Sequence, residues 1–292
     1  MHNRNKHLNG YDLKKLKSVY KGLSSHIIQN NQKDTIDFSN PKSVLELNKA
    51  LLIADYTLKY WQPTPNSLCP AVPGRADYVH HLADLLATTN NGTIPTGKDV
   101  KILDIGTGSS IIYPIIGAQE YNWDFVGTEI DRTSVHQAEI NVNKNIWLKK
   151  KIKLRFQDDR EKILDGIIFP EDKFDAIMCN PPFFKSREDN WSKSTKKFQN
   201  LKKGTEAPTV QNFAGHPNEL WCPGGEKAFI TQLIYDSQKY KKQIKWTTSL
   251  VSSKDNLKPL ISVLEYHKAA QIEIIEMEQG QKKMRILAWR WE

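Results

Sequence analysis

From Val100 onward the chain alternates short apolar runs with helix-period stretches, and this alternation restricts it to few architectures. Lys101-Ile-Leu-Asp-Ile105 reads as a strand, as do Asp124–Thr128, Ile152–Phe156 and Phe174–Cys179. Helical patterns fill two of the gaps, around Ser110–Gln119 and Ser134–Asn145. After a long loop the order resumes with a helix at Gly225–Tyr240, a strand at Ile244–Val251, a helix at Asn256–His267 and strands at Gln271–Met277 and Arg285–Trp291. Helical crossovers return the chain to the same edge, so the strands they join run parallel. The last two strands are linked only by Glu278-Gln-Gly-Gln-Lys282, too short for a crossover, which makes them an antiparallel hairpin. The expected fold class is therefore α/β: a Rossmann-like, doubly wound sheet of seven strands, mostly parallel with one antiparallel strand.

The preceding part differs in character. Residues 1–40 are polar and carry seven Lys/Arg against three Asp. Asn40-Pro41 opens an amphipathic helix towards Trp61, a Pro-rich passage spans Pro63 to Pro73, and a further helix is expected at Ala76–Ala87. Asn90–Lys98, with Gly92, Pro95 and Gly97, reads as a loop. This divides the chain into a basic, helical N-terminal extension (residues 1–90), whose charge makes it a candidate RNA-binding segment, and the sheet-forming domain (residues 91–292) in which a catalytic site is expected.

Composition excludes several classes. The formal charge of +9 suits a polyanionic partner. No apolar run approaches the roughly 18 residues that would span a bilayer, and the polar start lacks the apolar segment of a secretion signal. Cys69, Cys179 and Cys222 are scattered and form no CxxC pair, which argues against a disulfide framework and a zinc site. A cytoplasmic, monomeric protein without a metal is the expectation. His80-His81 lacks a ligand partner at metal spacing and is read as structural.

Asp104-Ile-Gly106-Thr-Gly108 lies where the first strand turns into the first helix. Glycines there let the backbone approach a ligand at the carboxyl end of the sheet. Glu129 ends the second strand, where a carboxylate accepts hydrogen bonds from both hydroxyls of a ribose. A dinucleotide site would share these features. However, Ile111 occupies the position of the third glycine that packs beneath a pyrophosphate, and Asp104 suits a cationic ligand better than a phosphate.

Asn180-Pro-Pro-Phe183 follows the fourth strand and specifies the chemistry. The lone pair of an exocyclic adenine amine is delocalised into the ring, so the amine is a poor nucleophile. The Asn180 side-chain oxygen and the Pro181 carbonyl each accept one N–H, which turns the lone pair towards a sulfonium methyl. Pro181 and Pro182 stiffen the backbone, and Phe183 offers a face for stacking the base. A base in folded RNA must be splayed out to reach such a pocket. Directly after this motif, Lys185 to Lys203 carries seven basic residues against two acidic ones, with Trp191 and Phe198 among them. Lys185, Trp191, Lys193, Lys196 and Lys197 are the candidate RNA contacts.

The chain resembles the adenine-N6 methyltransferases of bacterial large-subunit (23S) ribosomal RNA, whose eukaryotic relatives methylate the U6 small nuclear RNA. The resemblance rests on His2-Asn-Arg-Asn-Lys-His7 with Tyr11-Asp12, Asp37-Phe-Ser-Asn-Pro41 and Leu68-Cys-Pro-Ala-Val-Pro-Gly-Arg-Ala-Asp-Tyr78. It continues through Asn180-Pro-Pro-Phe183, Glu219-Leu-Trp-Cys-Pro-Gly-Gly-Glu226 and Thr248-Ser-Leu-Val-Ser252. It implies a class I methyltransferase fold, S-adenosyl-L-methionine as cofactor and 23S ribosomal RNA, or a large-subunit assembly intermediate, as partner. It further implies that Arg75 contacts the cofactor's carboxylate beside Gly106, Glu129 and Asn180, with another contact near Gln157–Arg160. The vertebrate relatives' C-terminal extension is absent here, which favours the bacterial ribosomal substrate. Protein glutamine residues, methylated by enzymes with a similar Asn-Pro-Pro-aromatic signature, and adenine in another structured RNA are the alternative substrates.

Overall fold

The structure is a computed structural model that describes residues 1–65, 67–182, 222–279 and 282–292. Phe183, Lys185, Trp191, Lys193, Lys196 and Lys197 lie outside the described residues.

Seven strands form the main sheet: β3 (Lys101–Ile105), β4 (Asp124–Glu129), β5 (Ile152–Phe156), β6 (Phe174–Cys179), β7 (Ile244–Val251), β8 (Gln271–Gln279) and β9 (Lys282–Arg290). Their order is β5-β4-β3-β6-β7-β9-β8. Only β9 runs against its neighbours, so the expected sheet and its antiparallel hairpin are both present.

Side-chain alternation sorts the core onto the two faces. Ile102, Ala176, Trp246 and Ile286 point into one apolar cluster, and Leu103, Ile177, Val251 and Leu287 into the other. The first face is covered by α3 (Val72–Thr88), α4 (Ile112–Tyr121) and α5 (Arg132–Lys144). The second is covered by α6 (Gly225–Lys239) and α7 (Leu257–Tyr266), together with Ile163, Leu164, Ile167 and Ile168 of the β5–β6 connection. β3 is buried on both faces, as a central parallel strand must be.

The N-terminal part has more structure than its polarity suggests. α1 (Leu13–Val19) and a 3₁₀ turn (Lys21–His26) lead into an antiparallel hairpin of β1 (Ile27–Asn30) and β2 (Lys33–Ile36). Its turn uses Asn31 and Gln32 in the left-handed region, at φ 48° and 63°. No glycine marks that turn, and β1 and β2 are largely exposed, so neither an apolar alternation nor a turn dipeptide signals them. α2 (Pro41–Asp55) starts as expected, with Asn40 accepting from the Lys42 amide at 3.0 Å, but stops short of Trp61. Leu13, Leu23, Leu51 and Val79 share one cluster with Ile102 and Trp246, so residues 1–90 pack directly on the main sheet.

The first residues are tied to α3. Asp77 Oδ1 accepts from the His2 amide at 2.9 Å and from Asn5 Nδ2 at 2.6 Å. Asp84 accepts from Arg4 Nη2 at 2.8 Å and lies 2.7 Å from His2 Nε2. The expectation that His80-His81 has no carboxylate partner at ligand spacing is corrected here. Asp84 is one helical turn beyond His81, and its oxygen and ring nitrogens of His81 and His2 lie within 4.8 Å of one another. Asp84 is already occupied by Arg4 and His2, which makes this cluster an anchor for the start of the chain. His80 is buried against the Tyr121 hydroxyl at 2.7 Å, and burial lowers its pKa to about 4.

Candidate active site

A cavity of ≈ 470 Å³ opens at the carboxyl ends of β3, β4 and β6, below the N-terminal turns of α3. Arg75, Gly106, Gly108, Glu129, Gln157, Asn180 and Pro182 all line it. A second hollow of ≈ 420 Å³ lies at the opposite end of the strands, between lysines such as Lys101, Lys173 and Lys242, away from all of these groups.

The β3–α4 turn requires its glycines. Gly106 and Gly108 sit at φ 69° and 63°, where a side chain would be strained. A Cβ on Gly106 would meet nothing within 4 Å, so the space beside this backbone is free for a ligand. Ile111, in place of a third glycine, takes the same left-handed region at φ 44° although it is β-branched and fully buried. The surrounding loop is braced from the start of the Pro-rich passage, from Trp61 just ahead of it and from α5. Trp61 Nε1 donates to the Ser110 carbonyl at 2.8 Å, the Thr64 amide donates to Ser109 Oγ at 3.0 Å, and Asn141 Nδ2 donates to the Ser109 carbonyl at 2.9 Å.

Glu129 is held by backbone amides. Its Oε2 accepts from Gly108 at 3.1 Å, and its Oε1 accepts from Ile130 at 2.7 Å and Asp131 at 3.0 Å. The carboxylate therefore faces the cavity in a fixed orientation, next to the glycine turn. Arg75, on α3, donates to the Tyr113 hydroxyl at 3.1 Å, with its guanidinium 5.5 Å from the centre of that ring. The sequence offers no signal for Tyr113 beyond its place on α4.

Asp104 is 1% exposed, and neither carboxylate oxygen has a hydrogen-bond partner among the described residues. Burial pushes its carboxyl up to about 7, opposed by the positive charge of Arg75 and reinforced by Glu129. Thr107 Oγ1 comes near enough to favour the ionised form without meeting hydrogen-bond geometry. An acid left in this state is suited to a cationic ligand group.

Gln157 is 4% exposed, and its side chain is spent on its own loop. Nε2 donates to the Asp165 carbonyl at 3.0 Å, and Oε1 accepts from the Asp159 amide at 3.1 Å. Its amide also donates to the Glu129 carbonyl at 2.9 Å, so it shapes the wall that continues through Arg160. Asn180 stands one residue past β6, and its Oδ1 is buried without a partner among the described residues. Pro181 beside it is buried. Cys179 lines the cavity, but burial first and the nearby Asp104 second push its thiol well above the usual range, so it is no nucleophile. Glu226 holds the segment after β7: it accepts from the amides of Ser252 at 2.6 Å and Ser253 at 3.4 Å and from Asn256 Nδ2 at 2.6 Å.

A buried acid, a cation and a fixed carboxylate around an open glycine turn offer the acceptors and the donor that an amino-acid head and a ribose require. A family described as RNA methyltransferase matches residues 1–292. The chain belongs to this RNA methyltransferase family. It is 46% identical over 291 residues to the ribosomal RNA large subunit methyltransferase F of Psychromonas ingrahamii, covering 99% of this chain and 94% of that one. The protein of the same name from Flavobacterium johnsoniae is 47% identical over 292 residues, covering 99% and 92%. The human METTL16 catalytic domain in complex with MAT2A 3′UTR hairpin 1 superposes with a TM-score of 0.84 at 29% identity, over 100% of this chain and 96% of that one. The human METTL16 N-terminal domain in complex with SAH gives 0.78 at 27%, over 100% and 99%. The fold is that of a class I methyltransferase, and the cofactor is S-adenosyl-L-methionine.

Proposed function

We propose that this enzyme methylates N6 of a specific adenine in 23S ribosomal RNA, as a cytoplasmic monomer. The observation that carries the chemistry is the Asn180 amide oxygen, buried at the cavity and without a partner among the described residues. A buried acceptor left open is costly, so its place at the end of β6 calls for a donor on the substrate. The names of the relatives supply the ribosomal part of the reading, and the RNA-bound neighbour supports a nucleic-acid substrate.

In this reading the cofactor carries an electrophilic methyl group on a sulfonium sulfur. Arg75 holds its carboxylate, Asp104 its ammonium, Glu129 its ribose hydroxyls and the Gln157–Arg160 wall its adenine. Asn180 Oδ1 and the Pro181 carbonyl each accept one N–H of the target amine, which localises the nitrogen lone pair. Pro181 and Pro182 restrict the backbone, so that little ordering remains for the reaction itself. Phe183 stacks the splayed base. The methylated nitrogen then releases its extra proton to water, and no general base of the protein takes part. Lys185, Trp191, Lys193, Lys196 and Lys197 grip the RNA around that base.

Mapping N6-methyladenosine in total RNA from cells with and without this gene tests the assignment. A single large-subunit adenine that loses its methyl group is the expected result. An unchanged large-subunit RNA would overturn it.

A further inference from the structure

The β6–β7 ladder stops before β6 does. Its last backbone pair is Ile177 with Thr247, whereas on the other edge β6 pairs with β3 as far as Cys179 with Ile105. Ile177 and Cys179 turn their backbone groups to the same side, towards β7; those of Ile177 are taken up by the ladder itself, whereas those of Cys179 lie beyond its last pair and need other partners. The Tyr78 hydroxyl fills the missing rung, and the Thr248 hydroxyl ties it back to the last pair of the ladder. Thr248 Oγ1 donates to the Ile177 carbonyl at 2.8 Å, Tyr78 and Thr248 hydroxyls lie 2.8 Å apart, and the Cys179 amide donates to the Tyr78 hydroxyl at 3.2 Å.

Proton counting orders these bonds. With the Thr248 proton on the Ile177 carbonyl at 2.8 Å, Tyr78 donates to Thr248 rather than to the Cys179 carbonyl, which lies at the longer 3.5 Å, and its oxygen receives the Cys179 amide. The result is a closed relay from β6 to α3 to β7 and back to β6. Both Tyr78 and Thr248 are fully buried. Asn180 is the next residue after this clamp. Tyr78 also lies one helical turn beyond Arg75, with its ring edge-on to Tyr113 at 5.4 Å.

We infer that Tyr78 and Thr248 are positioning residues that aim the Asn180 amide by clamping the end of β6. The inference rests on the reading of Asn180 as the acceptor of the target amine. Without the hydroxyls, the last residue of β6 keeps only its β3 edge, and a shift of an ångström at a reacting group is enough to slow transfer about a hundredfold. The cofactor-binding groups on β3, β4 and α3 are untouched by this change.

The test compares Tyr78→Phe, Thr248→Val, the double variant, Thr248→Ser and Asn180→Ala, with kcat on 23S RNA, dissociation constants for S-adenosylhomocysteine and melting temperatures. Tyr78→Phe and Thr248→Val should each lower kcat about ten- to a hundredfold and leave cofactor affinity within about threefold. The double variant should be no slower than the worse single one, because all three break the same relay. Thr248→Ser restores the hydroxyl and should recover most of the turnover. Thr248→Val keeps the side chain's volume and decides the matter if Tyr78→Phe fails to fold. Single variants that melt lower but turn over normally, beside an inactive Asn180→Ala, would overturn the positioning role alone. Normal turnover by Asn180→Ala would overturn the reading beneath it as well.

Discussion

Replacing Asp104 by asparagine removes a buried acid whose charge the ligand-free protein tolerates poorly. Its carboxyl is raised from 3.8 to about 7, chiefly by burial. Between those values the folded chain keeps a proton that the unfolded chain has lost, so stability falls as pH rises through this window and levels off above about 7. A shift of that size corresponds to roughly 4 kcal/mol at and above neutrality. Asp104→Asn keeps the shape and abolishes the titration. The ligand-free variant should therefore match the wild type near pH 4 and become progressively more stable than it towards pH 8, by roughly 10 °C in melting temperature. S-adenosylhomocysteine reverses the order, because its ammonium group needs the ionised acid. Wild-type affinity should rise with pH up to about 7, and the variant should bind weakly at every pH. Urea unfolding and calorimetry across pH 4.5–8.5 measure both effects. A stability difference between the two proteins that does not change with pH would refute the reasoning.

Glu129→Ala should weaken S-adenosylhomocysteine binding at least a hundredfold by calorimetry, since it removes two charge-assisted hydrogen bonds worth roughly 1.5–3 kcal/mol each. It should also lower the melting temperature, because the amides of Gly108, Ile130 and Asp131 lose their acceptor. An unchanged dissociation constant would remove the ribose from this position. Replacing Lys193, Lys196 and Lys197 by Glu should weaken RNA binding and flatten its salt dependence by about 0.7 in log–log slope for each phosphate no longer neutralised. Cofactor affinity should hold, and equal slopes for the two proteins would take this segment out of RNA recognition.

The sheet is legible in the sequence because its central strands are buried on both faces, and runs such as Ile102–Ile105 and Trp246–Val251 leave little choice of period. The same burial makes Asp104 conspicuous within an apolar strand. Its charge state is not legible, because that depends on how completely α3 and α4 close over it. Glu129 and the glycine turn follow from position in a doubly wound fold. Tyr78 and Thr248 cannot be paired from the sequence, since 170 residues separate two hydroxyls that meet only because α3 crosses the gap between β6 and β7. Glu226 is prominent in its motif, yet its partners are backbone amides of another loop, which no residue pattern announces. The β1–β2 hairpin escapes for the opposite reason. It is exposed and turns on Asn31-Gln32, so neither apolar alternation nor turn chemistry marks it.

The central claim is that the Asn180 oxygen, buried without a partner among the described residues, orients the amine that accepts the methyl group. Single-turnover methyl transfer by Asn180→Ala, with saturating cofactor and 23S RNA, tests it most directly. The rate should fall a hundredfold or more while S-adenosylhomocysteine affinity stays within a few-fold. A variant that transfers methyl groups at the wild-type rate would contradict it.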